Sequence, residues 1–183
     1  MDELIHVLKK FKNNRSPGPD GIPIEFFKLL NADGLKCTLA LLNKCWNDEV
    51  MPDDFELAEV VTLYKKGNVE LPENYRPIAL LNTLYKIYAS ILQQRLANGG
   101  IEEKLWKSQY GFRQCKSTCQ PLHITRRIQD FAEASHDKLI LVFLDWEKAF
   151  DKVDQEMLVR AMRRLNIPEK CKNNRTFLQK TKV

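Results

Sequence analysis

Apolar residues recur at helical spacing along much of the chain, and this pattern predicts a series of amphipathic helices. The first helix is marked by Leu4, Leu8 and Phe11. Further apolar patterns at helical spacing occupy residues 23–30, 35–46, 83–96 and 118–134. The pair Gly99-Gly100 is expected to end the helix over 83–96, because glycine readily adopts the left-handed conformation that closes a helix.

Two segments near the middle of the chain have the composition of β-strands. Residues 57–64 carry Val60 and Val61 at their centre and run into the turn sequence Lys65-Lys66-Gly67. The segment 74–78 follows, and its proline biases the preceding Arg76 toward an extended conformation. Together they predict a β-hairpin with cationic tips.

Residues 139–144 form an unbroken apolar run, and the run ends in an acidic cluster. Its length and its branched and aromatic residues predict a strand buried on both faces, with Asp145 at its end. A carboxylate held there and facing a cleft could present oxygen ligands to a magnesium ion. The alternative is that these acids are turn and cap residues, and Asp154 is best interpreted as a helix N-cap. Spacing alone leaves both uses of Asp145 open.

The positions of proline and glycine, and the lack of repeats, support a chain that mixes helices and strands. Proline and glycine in the loop over residues 13–21 exclude regular structure there. No internal repeat, low-complexity tract or interdomain linker interrupts the alternation of elements. We therefore expect an α+β fold.

Composition and charge narrow the function. The 183 residues are 44% hydrophobic and 29% charged, enough for one core. A membrane span of about 18 apolar residues and a secretory signal are both missing, so we expect an intracellular protein, nuclear or cytoplasmic. The net charge of +5 favours a polyanionic partner. Basic residues cluster at 9–15, 65–76 and 113–127, whereas acids gather around Asp145, as in a nucleic-acid enzyme.

Cysteine usage indicates free thiols. The chain has five cysteines, an odd number without a secretory signal, which is typical of a reducing compartment. Cys115, Cys119 and His123 are spaced by four and suggest a zinc site. That interpretation is disfavoured because structural zinc requires four ligands and no fourth stands nearby at ligand spacing.

Five short motifs, taken in order, resemble the reverse transcriptase of non-LTR (LINE-like) retrotransposons. They are Ser16-Pro17-Gly18-Pro19-Asp20-Gly21-Ile22-Pro23, Lys65-Lys66-Gly67, Asn74-Tyr75-Arg76-Pro77-Ile78, Gln109-Tyr110-Gly111-Phe112-Arg113, and the stretch from Phe143-Leu144-Asp145 to Lys148-Ala149-Phe150-Asp151. The resemblance covers residues 2–168, a partial reverse transcriptase domain, while 169–183 match poorly as a divergent tail. It implies the fingers of a right-hand polymerase with an incomplete palm.

The resemblance also implies roles around the acidic cluster. Asp145 matches the first catalytic aspartate, which holds the two Mg²⁺ ions that activate the primer 3′ hydroxyl and support the leaving group. Trp146 and Glu147 match positions whose backbone lines the triphosphate. Phe150 matches an aromatic gate that excludes a ribose 2′ hydroxyl, with a plain core aromatic as the alternative. Asp151 is expected to organise the turn.

Other roles follow from the fingers motifs. Lys65 and Arg76 match residues that grip the triphosphate, although Lys66 could replace Lys65. Gln109 and Arg113 match a loop that shapes the template and nucleotide side of the pocket. The expected nucleic-acid-binding residues near the template are Lys12, Arg15, Gly18 and Gly21. Both glycines are equally compatible with a purely structural turn.

The resemblance implies an RNA template, a DNA primer and deoxynucleoside triphosphates as partners, and the lack of a long apolar run leads us to expect no membrane. The family's second carboxylate motif, aromatic-x-Asp-Asp, is absent, and Asp53-Asp54 lies on the wrong side of Asp145 to supply it. We therefore expect a polymerase fragment that is inactive alone, with Mg²⁺ bound only in the complete enzyme and the remaining palm and thumb supplied by further sequence. The alternative is a remnant that binds RNA or an RNA–DNA duplex without catalysis.

Overall fold

The computed structural model describes residues 1–146, 149 and 152–168 and divides into two compact units. The first unit comprises residues 1–98 and 155–168. The second comprises the described residues within 99–154, which are 99–146, 149 and 152–154. Among all the described residues of both units, no helix has both the length and the apolar character needed to cross a membrane.

The elements alternate as the pattern predicts, and they confirm an α+β composition. In chain order they are α1 (Asp2–Lys10), α2 (Ile24–Leu29), α3 (Ala32–Asp48), β1 (Ala58–Tyr64), β2 (Tyr75–Leu81), α4 (Thr83–Asn98), α5 (Ile101–Lys104), α6 (Cys119–Ser135) and α7 (Gln155–Arg164). The short α5 is not predicted by the sequence pattern, because a single helical turn leaves no periodicity to detect. Helix α7 begins directly after Asp154, where the N-cap is predicted.

The core of the first unit is made by one face of each of its first helices and of α4. The buried apolar side chains in this cluster are Leu4, Val7, Leu8, Ile24, Phe27, Leu42, Cys45, Ile87, Tyr88, Ile91 and Leu92. Full burial of each larger aliphatic side chain contributes about 1.5–3 kcal/mol, so this cluster dominates the stability of the unit.

An ion pair fastens α1 to α4 beside this core. The Arg95 guanidinium donates to both carboxylate oxygens of Glu3, at 2.8 and 2.7 Å, and lies 4.6 Å from the ring centre of Trp46. The hydrogen bonds from Arg95 hold the pKa of Glu3 below its usual range. Both charged side chains remain partly exposed, so the pair fixes geometry more than it adds stability.

The predicted hairpin is confirmed. Strands β1 and β2 pair antiparallel from Ala58 opposite Leu81 to Tyr64 opposite Tyr75. The ladder continues one step further, because the Lys65 N–H donates to the Asn74 carbonyl at 2.8 Å. The loop between the strands therefore begins and ends at a fixed register.

One amide side chain joins the hairpin to the rest of the first unit. Asn82 follows β2 directly and is 5% exposed. Its Oδ1 accepts from the Asp20 N–H at 3.2 Å, and its Nδ2 donates to the Asp54 carbonyl at 2.8 Å. The neighbouring Thr83 hydroxyl donates to the Ile22 carbonyl at 2.5 Å. Three separate segments thus meet where β2 ends and α4 begins.

The loop over residues 13–22, here called the Pro-Gly loop, reaches this junction through Gly18. A Cβ at Gly18 would lie closer than 3.0 Å to backbone atoms of Leu81 and Asn82, so no larger residue fits without a shift. The Gly21 N–H donates to the Gly18 carbonyl at 3.0 Å, and Gly21 has φ of +65°. Gly18 is needed for close approach, and Gly21 for the left-handed turn.

The prediction of a buried strand at residues 139–144 is wrong. These residues have no regular secondary structure, and their side chains are exposed, with Ile140 at 86% and Leu144 at 84%. A strand is stable only beside a hydrogen-bonded neighbour, and the sheet found in the described residues consists of β1 and β2 alone. The apolar run has the composition of a strand, but among the described residues no neighbouring strand pairs with it.

We predict that Gly18→Ala destabilises the first unit by about 1–3 kcal/mol, because the added methyl group overpacks backbone atoms that cannot rotate away. Gly111→Ala is the control, since nothing lies within 4 Å of a Cβ there and Gly111 is not among the glycines with positive φ. Urea unfolding followed by circular dichroism measures both. Equal stability of the two variants would contradict the packing assigned to Gly18.

Candidate functional site

The predicted site residues are divided between the two units. The first unit holds Lys12, Arg15, Gly18, Gly21, Lys65 and Arg76, and the second holds Gln109, Arg113, Asp145 and Trp146. Glu147 and Phe150, as well as Asp151, lie outside the described residues. Each unit is therefore considered separately.

The hairpin register brings the two predicted triphosphate-binding cations to one face. Arg76 stands opposite Leu63, and Lys65 lies two positions after Leu63, at the step where its N–H bonds Asn74. Because side chains alternate along a strand, Lys65 and Arg76 share a face. Both are exposed, and two neighbouring cations suit the oxygens of a phosphate group. Lys66 lies past the last ladder step, so the register favours Lys65 over it.

The opposite face of the hairpin carries two tyrosines that close the loop. The rings of Tyr64 and Tyr75 lie 5.6 Å apart in an edge-to-face arrangement. Their hydroxyls donate to the carbonyls of Gly67 at 2.6 Å and Val69 at 2.9 Å. The sequence analysis missed this pair, although aromatic residues directly opposite each other are a common way to stabilise a hairpin. The two tyrosines therefore hold the loop that connects β1 to β2, which lies between Lys65 and Arg76 in the sequence.

The Pro-Gly loop, with Lys12 directly before it, presents two cations and a backbone turn. Lys12 and Arg15 are exposed, Gly18 is buried against the hairpin end, and Gly21 is exposed with nothing within 4 Å of a Cβ. Gly18 therefore has a clear structural task, whereas the turn at Gly21 is open to a ligand. Binding of nucleic acid by these four residues stays a prediction.

Lys86 supports this loop from α4 and was not found by sequence reasoning. Its ammonium group donates to the Ser16 carbonyl at 3.2 Å. Burial lowers the pKa of Lys86, and the nearby Asp20 carboxylate opposes that shift. Lys86 lies in the first turn of α4, where its N–H donates to the Asn82 carbonyl at 3.1 Å, and this proximity to the junction is not apparent from the sequence.

In the second unit, Arg113 organises a loop. Its Nε donates to a Glu102 carboxylate oxygen at 2.8 Å, and its Nη2 donates to the Glu102 carbonyl at 2.9 Å. Its Nη1 reaches the carbonyls of Trp106 at 2.9 Å and Gln109 at 3.3 Å. The side chain is 10% exposed. Arg113 can therefore shape the loop around the exposed Gln109, while its guanidinium group is committed to protein atoms.

Asp145 is exposed, and so is Trp146, at 81%. An exposed carboxylate is an accessible hard ligand for Mg²⁺, but a single one supplies too few oxygens for two ions. Over residues 1–146, 149 and 152–168, no three His, Cys, Asp or Glu side chains are grouped so as to hold a metal ion. Cys115 and Cys119 are exposed free thiols.

Comparisons with a family model and with individual proteins point to the same family. The family described as "Reverse transcriptase (RNA-dependent DNA polymerase)" matches residues 63–183. A probable RNA-directed DNA polymerase from transposon BS of Drosophila melanogaster is 28% identical over 90% of this chain and 18% of its own length. An uncharacterized 149 kDa protein of transposon TX1 from Xenopus laevis is 32% identical over 87% of this chain and 12% of its own.

A third relative is the RNA-directed DNA polymerase from the mobile element jockey of Drosophila melanogaster. It is 28% identical over 98% of this chain and 20% of its own length. The chain thus spans one fifth or less of the length of these three relatives.

We predict that Arg113→Lys loosens the loop over residues 102–113. A lysine keeps the charge but cannot reach all four acceptors from one nitrogen, and each lost bond to a charged group costs about 1.5–3 kcal/mol locally. Hydrogen–deuterium exchange should show faster exchange in this loop and unchanged exchange in β1 and β2. Arg126→Lys, an exposed position on α6, is the control. Unaltered loop protection in Arg113→Lys would contradict the role assigned to the guanidinium group.

Proposed function

The chain belongs to the reverse transcriptase (RNA-dependent DNA polymerase) family, in the group carried by non-LTR retrotransposons, and from this premise we propose that it forms the fingers and the beginning of the palm of such a polymerase. The observation that carries this proposal is the hairpin register, which presents Lys65 and Arg76 on one exposed face. A deoxynucleoside triphosphate bound there would be held by charge-assisted hydrogen bonds.

The substrates that we propose are an RNA template, a DNA primer and deoxynucleoside triphosphates. The exposed cations Lys12 and Arg15, with the open turn at Gly21, are suited to the template backbone because cations and backbone N–H groups neutralise phosphates. Arg113 acts by shaping the loop that presents Gln109. These roles follow the family pattern, and Lys12, Arg15, Gly21 and Gln109 are exposed, as contact with a ligand requires.

We place the chemistry at Asp145. In the complete enzyme, Mg²⁺ would activate the primer hydroxyl and neutralise the triphosphate leaving group. Asp145 would hold the metal through its exposed carboxylate, while the backbone at Trp146 and Glu147 would line the triphosphate. Phe150 would exclude a ribose by steric contact with its 2′ hydroxyl. All four assignments follow from the motif that the chain shares with the family.

The 183 residues alone should not polymerise DNA. They contain no aromatic-x-Asp-Asp sequence, and Asp145 by itself cannot provide the several oxygen ligands that each of two Mg²⁺ ions requires. A second function, binding of RNA or an RNA–DNA duplex without catalysis, is favoured for the isolated chain by its net charge of +5 and its exposed basic residues.

We predict that the isolated chain gives no primer extension on an RNA template with Mg²⁺, whereas a chimera in which it replaces the matching segment of the jockey polymerase does. In that chimera, Asp145→Asn should lower the extension rate about a thousandfold or more, because a lost metal ligand removes several kcal/mol of transition-state stabilisation.

Asp53→Asn is the matched control, since this exposed aspartate lies in a short turn of the first unit and should leave the rate within about twofold. Extension by the isolated chain would contradict its inactivity. An Asp145→Asn chimera as active as its parent would contradict the assignment of the metal ligand.

A further inference from the structure

An apolar groove lies on the first unit among α1, α2 and the start of α3. It has a volume of about 400 Å³ and is lined by Ile5, Leu8, Lys9, Phe27, Lys28 and Leu35. Ile5, Leu8 and Lys9 share one face of α1, since residues three and four apart are neighbours on a helix. The groove has no part in the polymerase roles proposed above.

Two cations flank this groove. Lys9 is exposed in the last turn of α1. Lys28 is held in place, because its ammonium group donates to the Phe11 carbonyl at 2.6 Å and to Asn13 Oδ1 at 2.5 Å. Among the described residues that line the groove, none is acidic. The groove therefore combines an apolar floor with a rim of one sign of charge.

Two other surface cavities lack this combination. The cavity beside Trp46 contains the paired charges of Glu3 and Arg95. The cavity at the end of α6 is lined by the acids Glu133 and Asp137 together with His136. Of the three, the groove at α1 is the one whose lining has cations and no acid, although Lys28 also interacts electrostatically with the Glu25 carboxylate.

The chemistry of the groove selects among possible occupants. A nucleic acid would gain from the two lysines but not from the apolar floor, and the aromatic ring in the lining, Phe27, is only 5% exposed and offers no face for base stacking. A second copy of the chain would bring its own net charge of +5 toward the basic end of α1. An apolar segment that carries acids satisfies both features.

We propose that this groove is a docking site for an acidic amphipathic helix of a partner protein. One or two large apolar side chains of that helix pack against Ile5 and Leu35, and a carboxylate beside them pairs with the exposed Lys9. This is the helix-in-groove mode, in which apolar side chains at helical spacing supply affinity and flanking charges select the partner.

The test uses the full 183-residue chain and a fluorescein-labelled acidic helical peptide with leucines at i, i+3 and i+7. Fluorescence anisotropy should show saturable binding. Lys9→Glu should weaken it about tenfold, since a favourable pair is lost and a repulsive one is created. Lys10→Glu is the matched control, because it makes the same charge change in the same exposed turn outside the lining, and it should weaken binding less than twofold. Ile5→Ser should weaken binding about fivefold through lost apolar contact.

Three results would overturn the proposal. The first is the absence of saturable binding to a chain whose circular dichroism shows it folded. The second is an equal effect of Lys9→Glu and Lys10→Glu, or equal binding of a peptide with serine in place of leucine, either of which indicates attraction by general charge. The third is displacement of the peptide by an RNA oligonucleotide whose own binding is also sensitive to Lys9→Glu, because that outcome identifies a nucleic-acid site.

Discussion

The junction of the hairpin, the Pro-Gly loop and the turn at Asp54 depends on the hydrogen bonds of one buried amide. Asn82 stands between β2 and α4, and its side chain satisfies the Asp20 N–H and the Asp54 carbonyl at once. A buried amide can be tolerated only when its donors and acceptors are matched, so the position of each partner segment is fixed with it. Gly18 allows this arrangement, since any side chain there would collide with the backbone at Leu81 and Asn82.

This junction anchors the strand that carries one of the proposed triphosphate-binding residues. Strand β2 ends at Leu81, directly before Asn82, and the same strand carries Arg76. The cationic face of the hairpin is thus anchored at one end by the junction and closed at the other by Tyr64 and Tyr75. The Pro-Gly loop is anchored at the same place through Asp20. A rigid base for exposed cations is what a polymerase needs to orient a triphosphate before chemistry.

The sequence predicted the hairpin and the helices other than α5 because each has a local period, a cap or a turn signal of its own. It could not identify Asn82, since its hydrogen bonds join segments that lie 62 and 28 residues away. The predicted strand at 139–144 was wrong for a related reason: an apolar run reports propensity, whereas a strand also requires a neighbour. The choice between Lys65 and Lys66 needed the register. Arg113 was found by motif, but its commitment to Glu102 came only from the structure.

The central claim is that one face of the hairpin holds the incoming triphosphate. The most direct measurement is KM for deoxynucleoside triphosphates in the jockey chimera, compared across three alanine variants. We expect Lys65→Ala and Arg76→Ala each to raise KM about tenfold to a hundredfold, as for loss of a charge-assisted hydrogen bond, and Lys66→Ala to change it less than twofold. An effect of Lys66→Ala as large as that of Lys65→Ala and Arg76→Ala, or no effect of any, would contradict the claim.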